Sequence, residues 1–326
     1  MRVEFTEDPT GFQKRDWTDL VSADPTGTFF HTPAYLKLWW EEFGSGSLLL
    51  AFAREEERTV GACAFEFVGD TLQFLGGFDV TDYMGPVGVP GREEAVAKEL
   101  MAALVERDWT RGDLRGLPSD SPWLGALEGA AAAQGLTAIR GDDGVAPLIE
   151  LPASFDAYLA ALPAKLRHEI RRKERRLAEE TGGYEVRLST IQTLHADLDR
   201  FIELHRASPG PKGRFMHAGM EIFFRRLGEA FLATHRFHLA FVEIDGRKAA
   251  GAIGFGFRNT FSLYNSAFDR EFEKQAPGMV LVADLIRRAT LRGLERFDML
   301  KGDLTYKYRF GASPRPIGRL LLSRSS

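Results

Sequence analysis

The sequence is poor in the features that would sort it at once. Among 326 residues there is a single cysteine, so no internal disulfide can form. Cys63 sits in an apolar, strand-like run, where core packing is its expected role. Apolar runs such as Leu48 to Ala53 fall far short of the ~20 residues that span a bilayer. The opening Met1-Arg-Val-Glu-Phe-Thr-Glu-Asp lacks the apolar core of a signal peptide, and a cytoplasmic location is the expectation. There is no surplus of positive charge: 42 Lys and Arg face 46 Asp and Glu, a net of −4. Bulk electrostatics therefore gives no hold on nucleic acid, and a polyanion would need a local basic patch. The seven histidines show no ligand spacing and no Cys or His completes a tetrahedral set, so no metal is expected. His168 and His205 read as surface or packing residues. There is no Walker loop, no Gly-x-Ser-x-Gly elbow and no dinucleotide fingerprint.

What is present is a repeated order of elements. Length alone suggests about two domains. The first half opens with a helix capped by Thr32, started by Pro33 and ended by Gly44, with Leu36, Trp39, Trp40 and Phe43 on its apolar stripe. Strands are expected at 47–53, 60–68 and 71–75, then a loop rich in Gly, Asp and Pro over 76–91. A helix over 93–107 and a short strand around Leu114 follow, and Pro118 to Pro122 break the chain. The second half repeats the pattern. Helices are expected at 191–207 and 219–230, and strands at 237–244, 249–257 and 260–268. Asp245-Gly246 marks a hairpin turn. A helix over 278–292, stopped by Gly293, and a strand over 297–300 complete the set. Helix, three strands, helix, strand occurs twice, which indicates a structural duplication in mixed α/β domains. A linker over 141–153 divides the chain into domains at 1–150 and 151–326. Two such domains bury sheet faces, so a monomer is the expected state.

Three stretches carry candidate chemistry. The first is the loop into the helix at Pro277-Gly278, where free N–H groups and an absent side chain suit an anion, phosphate above all. Beyond the next strand come Asp298, Lys301, Asp303, Tyr306, Lys307 and Arg309. Transfer from an activated carbonyl to an amine requires amine deprotonation, oxyanion stabilisation and leaving-group protonation. Asp303 can take or orient the amine proton, Lys307 can neutralise an oxyanion or phosphate, and Tyr264 or Tyr306 can serve the leaving group. The alternative is that the aspartates cap turns and Tyr306 packs on the sheet. The second stretch is the helix over 163–180, with seven Lys or Arg between Lys165 and Arg176. Lys165, Arg167, Arg171 and Arg172 are candidates to hold phosphates; a solvated amphipathic helix is the other reading. The third is Asp82-Tyr83, a pocket wall or a plain turn.

Together these residues resemble the CelD/Fem-related acetyltransferase-like branch of the GNAT superfamily. The resemblance is carried by Tyr264-Asn-Ser-Ala-Phe268, Pro277-Gly278, Arg292-Gly293-Leu294, Phe297-Asp298, Gly302-Asp303 and Tyr306-Lys307. Leu162-Pro-Ala-Lys-Leu-Arg-His-Glu-Ile-Arg-Arg172, Phe30-His-Thr-Pro-Ala-Tyr-Leu-Lys-Leu-Trp-Trp40 and Asp82-Tyr83 extend it over nearly the whole chain. It implies an α/β fold with mixed sheets, in which a degenerate GNAT-like domain precedes an active one. It implies transfer of an acyl or aminoacyl group to an amine. In Fem-type enzymes the donor is aminoacyl-tRNA and the acceptor a peptidoglycan precursor; in ordinary members the donor is acyl-CoA. No tightly bound cofactor is implied; acyl-CoA or aminoacyl-tRNA is a co-substrate. The partners implied are a phosphate-bearing small molecule and tRNA, without membrane insertion. Ordinary members carry a second glycine at the helix start, where this chain has Val280. The implied site comprises Asp303, Lys307, Tyr306 and Tyr264, with Asn265, Gly278, Asp82, Tyr83 and the basic helix binding substrate. A non-catalytic binding module on the same fold is the other hypothesis.

Overall fold

A computed structural model describes residues 1–77 and 79–324. They form two compact units, Met1–Val145 with Arg315–Ser326, and Ala146–Pro314.

In the first unit, α1 (Arg15–Ala23) and α2 (Pro33–Phe43) accompany the strands β1 (Arg2–Thr6), β2 (Ser47–Glu55), β3 (Arg58–Val68) and β4 (Thr71–Phe74). The short β5 (Val87–Gly88) pairs with β3, and α3 (Glu93–Leu104) leads to β6 (Arg111–Pro118). Thr32 does occupy the N-cap of α2, but its hydroxyl donates to the Phe29 carbonyl (2.7 Å) instead of accepting from the helix. The expected break at Pro118–Pro122 is a helix start: Ser121 Oγ accepts from the Trp123 N–H (3.3 Å), Pro122 takes the first turn, and α4 runs Pro122–Ala133. Strand β7 (Leu136–Val145) follows. The buried Cys63 packs in this core beside Phe65 and Leu72, and burial pushes its thiol pKa up.

The second unit opens with β8 (Leu148–Glu150), so most of the expected linker is strand. Then come α5 (Phe155–Ala161), α6 (Ala164–Thr181), β9 (Glu185–Leu188), α7 (Leu194–Arg206), α8 (Pro211–Phe215) and α9 (Ala218–Phe231). Strands β10 (Phe237–Ile244), β11 (Arg247–Phe257) and β12 (Thr260–Phe268) form a meander. Its first turn is tight because Asp245 and Gly246 both take left-handed φ, 48° and 73°. Helix α10 (Pro277–Leu291), strand β13 (Arg296–Asp298) and the single turn α11 (Thr305–Tyr308) complete the unit. The sheet order is β8-β13-β12-β11-β10-β9. The buried face of α10 (Val280, Leu281, Leu285, Ile286 and Ala289) packs into one core with Ala250, Ala252, Leu263 and Phe297. Each such branched side chain stabilises by about 1.5–3 kcal/mol.

The last strand, β14 (Pro316–Arg324), returns to the first unit and pairs with both β6 and β7, giving the order β1-β2-β3-β4-β6-β14-β7. The expected second domain of 151–326 is corrected accordingly. Ile317, Leu320 and Leu322 are buried in the first unit, and that burial draws the terminus across. Among the described residues, no helix is long and apolar enough to cross a membrane, and no cluster of His, Cys, Asp or Glu could hold a metal.

Candidate active site

The second sheet is built to come apart beside α10. Strands β12 and β13 run parallel and pair over three positions only, Thr260 to Ser262 against Arg296 to Asp298. Strand β13 then ends while β12 continues to Phe268. In the same place β12 carries a bulge: Ile253 faces Asn265 and Gly254 faces Leu263, leaving Tyr264 unmatched. Gly254 is glycine of necessity, since a Cβ there would lie 2.4 Å from the Phe261 ring. Bulge and divergence leave one edge of β12 without a partner strand from Leu263 onward.

A cavity of about 270 Å³ lies at that opening. Ser266 and Phe268 line it from β12, Gly278, Met279 and Val282 from α10, and Tyr306 and Phe310 from the chain beyond β13. The Tyr306 hydroxyl hydrogen-bonds Ser266, while burial raises its pKa; the phenol is protonated at neutral pH. Lys212 of α8 also lines the cavity. Most of that residue is exposed, yet desolvation at its ammonium lowers its pKa, and it forms no ion pair with a described residue.

The start of α10 faces the same space. A Cβ built on Gly278 would meet nothing nearer than Phe268 Cδ1 at 3.9 Å. Neither crowding nor a positive φ accounts for the glycine, so its effect is to leave the helix start uncovered. The preceding Ala276 holds a left-handed conformation (φ 54°, ψ 50°), which costs a non-glycine residue about 1 kcal/mol. On the far side Leu300 is also left-handed (φ 56°). Ala276 and Leu300 are two of the six non-glycine residues with positive φ among the described residues.

Residues 164–308 match the family model described as Acetyltransferase (GNAT) domain. Among solved structures, a conserved protein of unknown function from Bacteroides thetaiotaomicron VPI-5482 superposes with a TM-score of 0.71 at 13% identity, over 99% of this chain and 100% of that one. FemX does so with 0.67 at 12% identity, over 97% and 96%. A tandem GNAT protein from the clavulanic acid biosynthesis pathway gives 0.52 at 15%, over all of both chains. No curated protein matches the sequence. The fold is that of two GNAT-like domains in tandem. The family match adds support for the GNAT superfamily and, in general terms, for acyl transfer.

The second GNAT-like domain brings together Gly278, Tyr306 and the strand that carries Tyr264 and Asn265. Tyr264 packs its ring against Phe255 (5.1 Å between centroids) and Phe224 (5.7 Å). Two of the expected residues have other tasks. The Lys307 side chain is buried and its ammonium donates to the carbonyls of Leu300 (2.7 Å) and Lys301 (2.9 Å), so it ties the left-handed turn after β13 to α11. Asp303 is exposed and accepts from the Tyr308 hydroxyl (2.6 Å), and it does not line the cavity.

The basic helix divides as well. The Arg167 guanidinium is turned onto the last carbonyls of α5, those of Leu159, Ala160 and Leu162. Lys165, Arg171 and Arg172 are exposed and unpaired among the described residues. They do not reach the start of α10. Helix α6 runs antiparallel to α10, with Glu180 bonded to Gln275 and Glu174 to Arg287. Arg172 and Lys165 therefore lie about 12 Å and about 22 Å along α6 from Glu180.

Asp82 and Tyr83 belong to the first GNAT-like domain. Tyr83 is 1% exposed and packs its ring tilted against Phe30 (6.2 Å between centroids), so it is a core residue. In that domain the helix corresponding to α10 is α3, which lies between the parallel-paired strands β4 and β6 as α10 lies between β12 and β13. Its first turn holds Glu93 and Glu94, and the Gly91 N–H donates to Glu93. Carboxylates already occupy that helix start, which disfavours a second anion. Ser266, Lys212 and Phe310 are not among the site residues expected from the sequence, where Ser266 enters only within a motif and Phe310 only as packing on the sheet. Ser266 follows Asn265 directly, and Lys212 sits in the turn-forming Pro209-Gly-Pro-Lys-Gly213, a loop signal between two helices.

Proposed function

We propose that the second domain transfers an acyl group from a phosphate-bearing donor to an amine. The observation that carries this reading is the uncovered helix start at Gly278, set beside the unpaired edge of β12. At this helix start Pro277 has no N–H and those of Met279 and Val280 turn to the Ala276 carbonyl, so the Gly278 N–H and the positive end of the helix dipole are what receive phosphate. Lys212 adds a cation on the same cavity. The donor's acyl arm then lies along β12 towards Ser266 and Tyr306. The neutral amine attacks the acyl carbonyl, the new C–N bond forms, and the bond to the leaving sulfur or oxygen breaks. Tyr306 is the proton donor to that leaving group, and the nitrogen gives up its proton to solvent.

The first donor to test is acyl-CoA, whose acyl-pantetheine end would enter the cavity while its phosphates stay at the helix start outside it. Calorimetric titration of the full chain with acetyl-CoA and with CoA tests it. Micromolar binding, weakened at least about tenfold in Gly278→Val, is the expected result; no binding, and no transfer to a panel of amines, overturns it.

A second donor is favoured by one further observation, the unpaired cations Lys165, Arg171 and Arg172. An aminoacyl-tRNA is long enough to engage them while presenting its ester at the cavity. A cell-wall precursor amine is then the acceptor class. Filter binding of charged tRNA across a salt series tests this: replacing the three cations with serine should flatten the salt dependence. A saturable ligand without product, under either donor, would instead identify a binding module.

A further inference from the structure

Close to the cavity, His205 and Asn265 form a pair that the chemistry proposed above does not use. His205, in the last turn of α7, is 1% exposed and lies between Phe201 and Phe215, each 5.9 Å from its ring centroid. Its Nε2 is 2.8 Å from Asn265 Oδ1. That same oxygen accepts from the Ser266 N–H (3.1 Å).

The two contacts settle the hydrogens. The Ser266 N–H can only donate, so the Asn265 atom it meets is the oxygen and the carboxamide orientation is fixed. An amide oxygen can only accept, so His205 Nε2 must carry the proton. Two consequences follow. His205 Nδ1 is a bare lone pair, buried and with no partner; a core residue gains nothing from that arrangement. At the other end, Asn265 Nδ2 makes no hydrogen bond with any described residue, although the residue is only half exposed.

We infer that His205 is a positioning residue: it locks the Asn265 carboxamide so that Nδ2 presents its N–H groups, beside Ser266 on the free edge of β12, to a carbonyl or carboxylate oxygen of a substrate. This rests on the acyl-transfer reading for its substrate, though not for the lock itself. The oxygen belongs either to the acyl group of the donor or to the acceptor. A pair that merely packed α7 onto the sheet would not need the amide nitrogen left open.

Histidine-selective ¹⁵N NMR of the full chain tests the lock without any substrate, with His205→Gln identifying the signal. The expected result is a neutral ring protonated on Nε2 from pH 8 to pH 5.5. Burial chiefly disfavours an imidazolium, the hydrogen bond to Asn265 partly offsets it, and the nearby Lys212 ammonium adds to it. An Nδ1–H tautomer, or protonation above pH 6, overturns the inference.

Turnover tests the purpose. Glutamine at 205 can still donate to Asn265 Oδ1 and should keep kcat/KM within about threefold, whereas His205→Leu should lose about tenfold. Equal loss in both, with the acidic limb of the pH profile abolished, would make His205 a general base and defeat the proposal. Asn265→Ala separates the sources of the oxygen: a raised KM for the amine assigns it to the acceptor, and a lowered kcat at saturation assigns it to the acyl carbonyl. No change in either overturns the proposal. If the wild-type protein turns over neither acetyl-CoA nor aminoacyl-tRNA, acyl transfer is the reading that falls, and the NMR result alone decides the lock.

Discussion

Lys307 reaches back over its own loop to place its ammonium 2.7 Å from the Leu300 carbonyl oxygen. Leu300 is held left-handed, and its N–H is bound by Asp298 Oδ1 (2.8 Å), so the turn after β13 depends on one buried cation and one buried carboxylate. Replacing Lys307 with methionine keeps the stem and removes both hydrogen bonds to Leu300 and Lys301. The two carbonyls lose a charged donor, at an expected cost of about 2–4 kcal/mol. Urea unfolding should show this loss, together with lost activity. Full stability with abolished turnover would instead return Lys307 to a chemical role.

Gly278→Ala should behave in the opposite way. The new methyl has room, and alanine is a better helix former than glycine by about 1 kcal/mol in a helix interior, with a smaller gain in the first turn. Thermal stability should be unchanged or slightly raised. Affinity for a phosphate-bearing donor should fall, because the methyl crowds the open helix start beside the Gly278 N–H. A variant that melts early, or that binds donor as before, contradicts the role given to the open helix start.

The duplication was legible because it rests on local signals: Pro33 and Gly44 around α2, Asp245-Gly246 in the hairpin, and Gly293 after α10. What could not be read was pairing between distant segments. The Pro316–Arg324 segment has the alternation of a strand, yet nothing in it names β6 and β7 as partners. Gly278 stands out in the sequence because Pro277-Gly278 opens a helix with no side chain in the way; Lys212 does not, because the fold of α8 alone brings it to the cavity. Lys307 was a candidate to neutralise an oxyanion or a phosphate, and the structure adds its hydrogen bonds to Leu300 and Lys301. Its charge was visible in the sequence, but its burial against Leu300 was not.

Asp197 should dominate the stability of the second domain. Its side chain is 1% exposed, and desolvation pushes its pKa up. The Arg187 guanidinium and the Lys248 ammonium (2.6 Å) outweigh this and hold it well below the usual carboxylate range. The Arg187 fork spans it at 2.9 and 2.7 Å. A depressed carboxyl pKa contributes stability that is present above the unfolded value and lost as pH falls through the folded one. Asp197→Asn leaves two cations facing a neutral amide and should cost about 3–5 kcal/mol at pH 7. The loss should shrink towards acid pH, where the wild-type carboxylate is also neutralised. A penalty independent of pH would mean that packing, and not charge, is what Asp197 supplies.

Three buried histidines set the acid limit at milder pH. His31, His205 and His238 each have a pKa lowered to about 4, in every case chiefly by desolvation. His31 is partly compensated by the nearby Asp24, whereas Arg292 pushes His238 further down. A histidine whose folded pKa is depressed is protonated first in the unfolded chain. Its contribution is therefore complete above about pH 6.5 and is lost as pH falls towards 4. At 1.36 kcal/mol per pKa unit, each of the three contributes a loss approaching about 3 kcal/mol by the bottom of that window. Unfolding free energy measured at pH 7, 5.5 and 4.5 should fall steeply, with proton uptake on unfolding. His238→Phe keeps a ring against Phe261, 5.4 Å away in the wild-type protein, and removes one titrating group. The pH dependence should then flatten by about one third of its slope. Stability that stays constant from pH 7 to 5 would show that these imidazoles gain their protons without unfolding the protein, and the buried neutral state assigned to them would have to be abandoned.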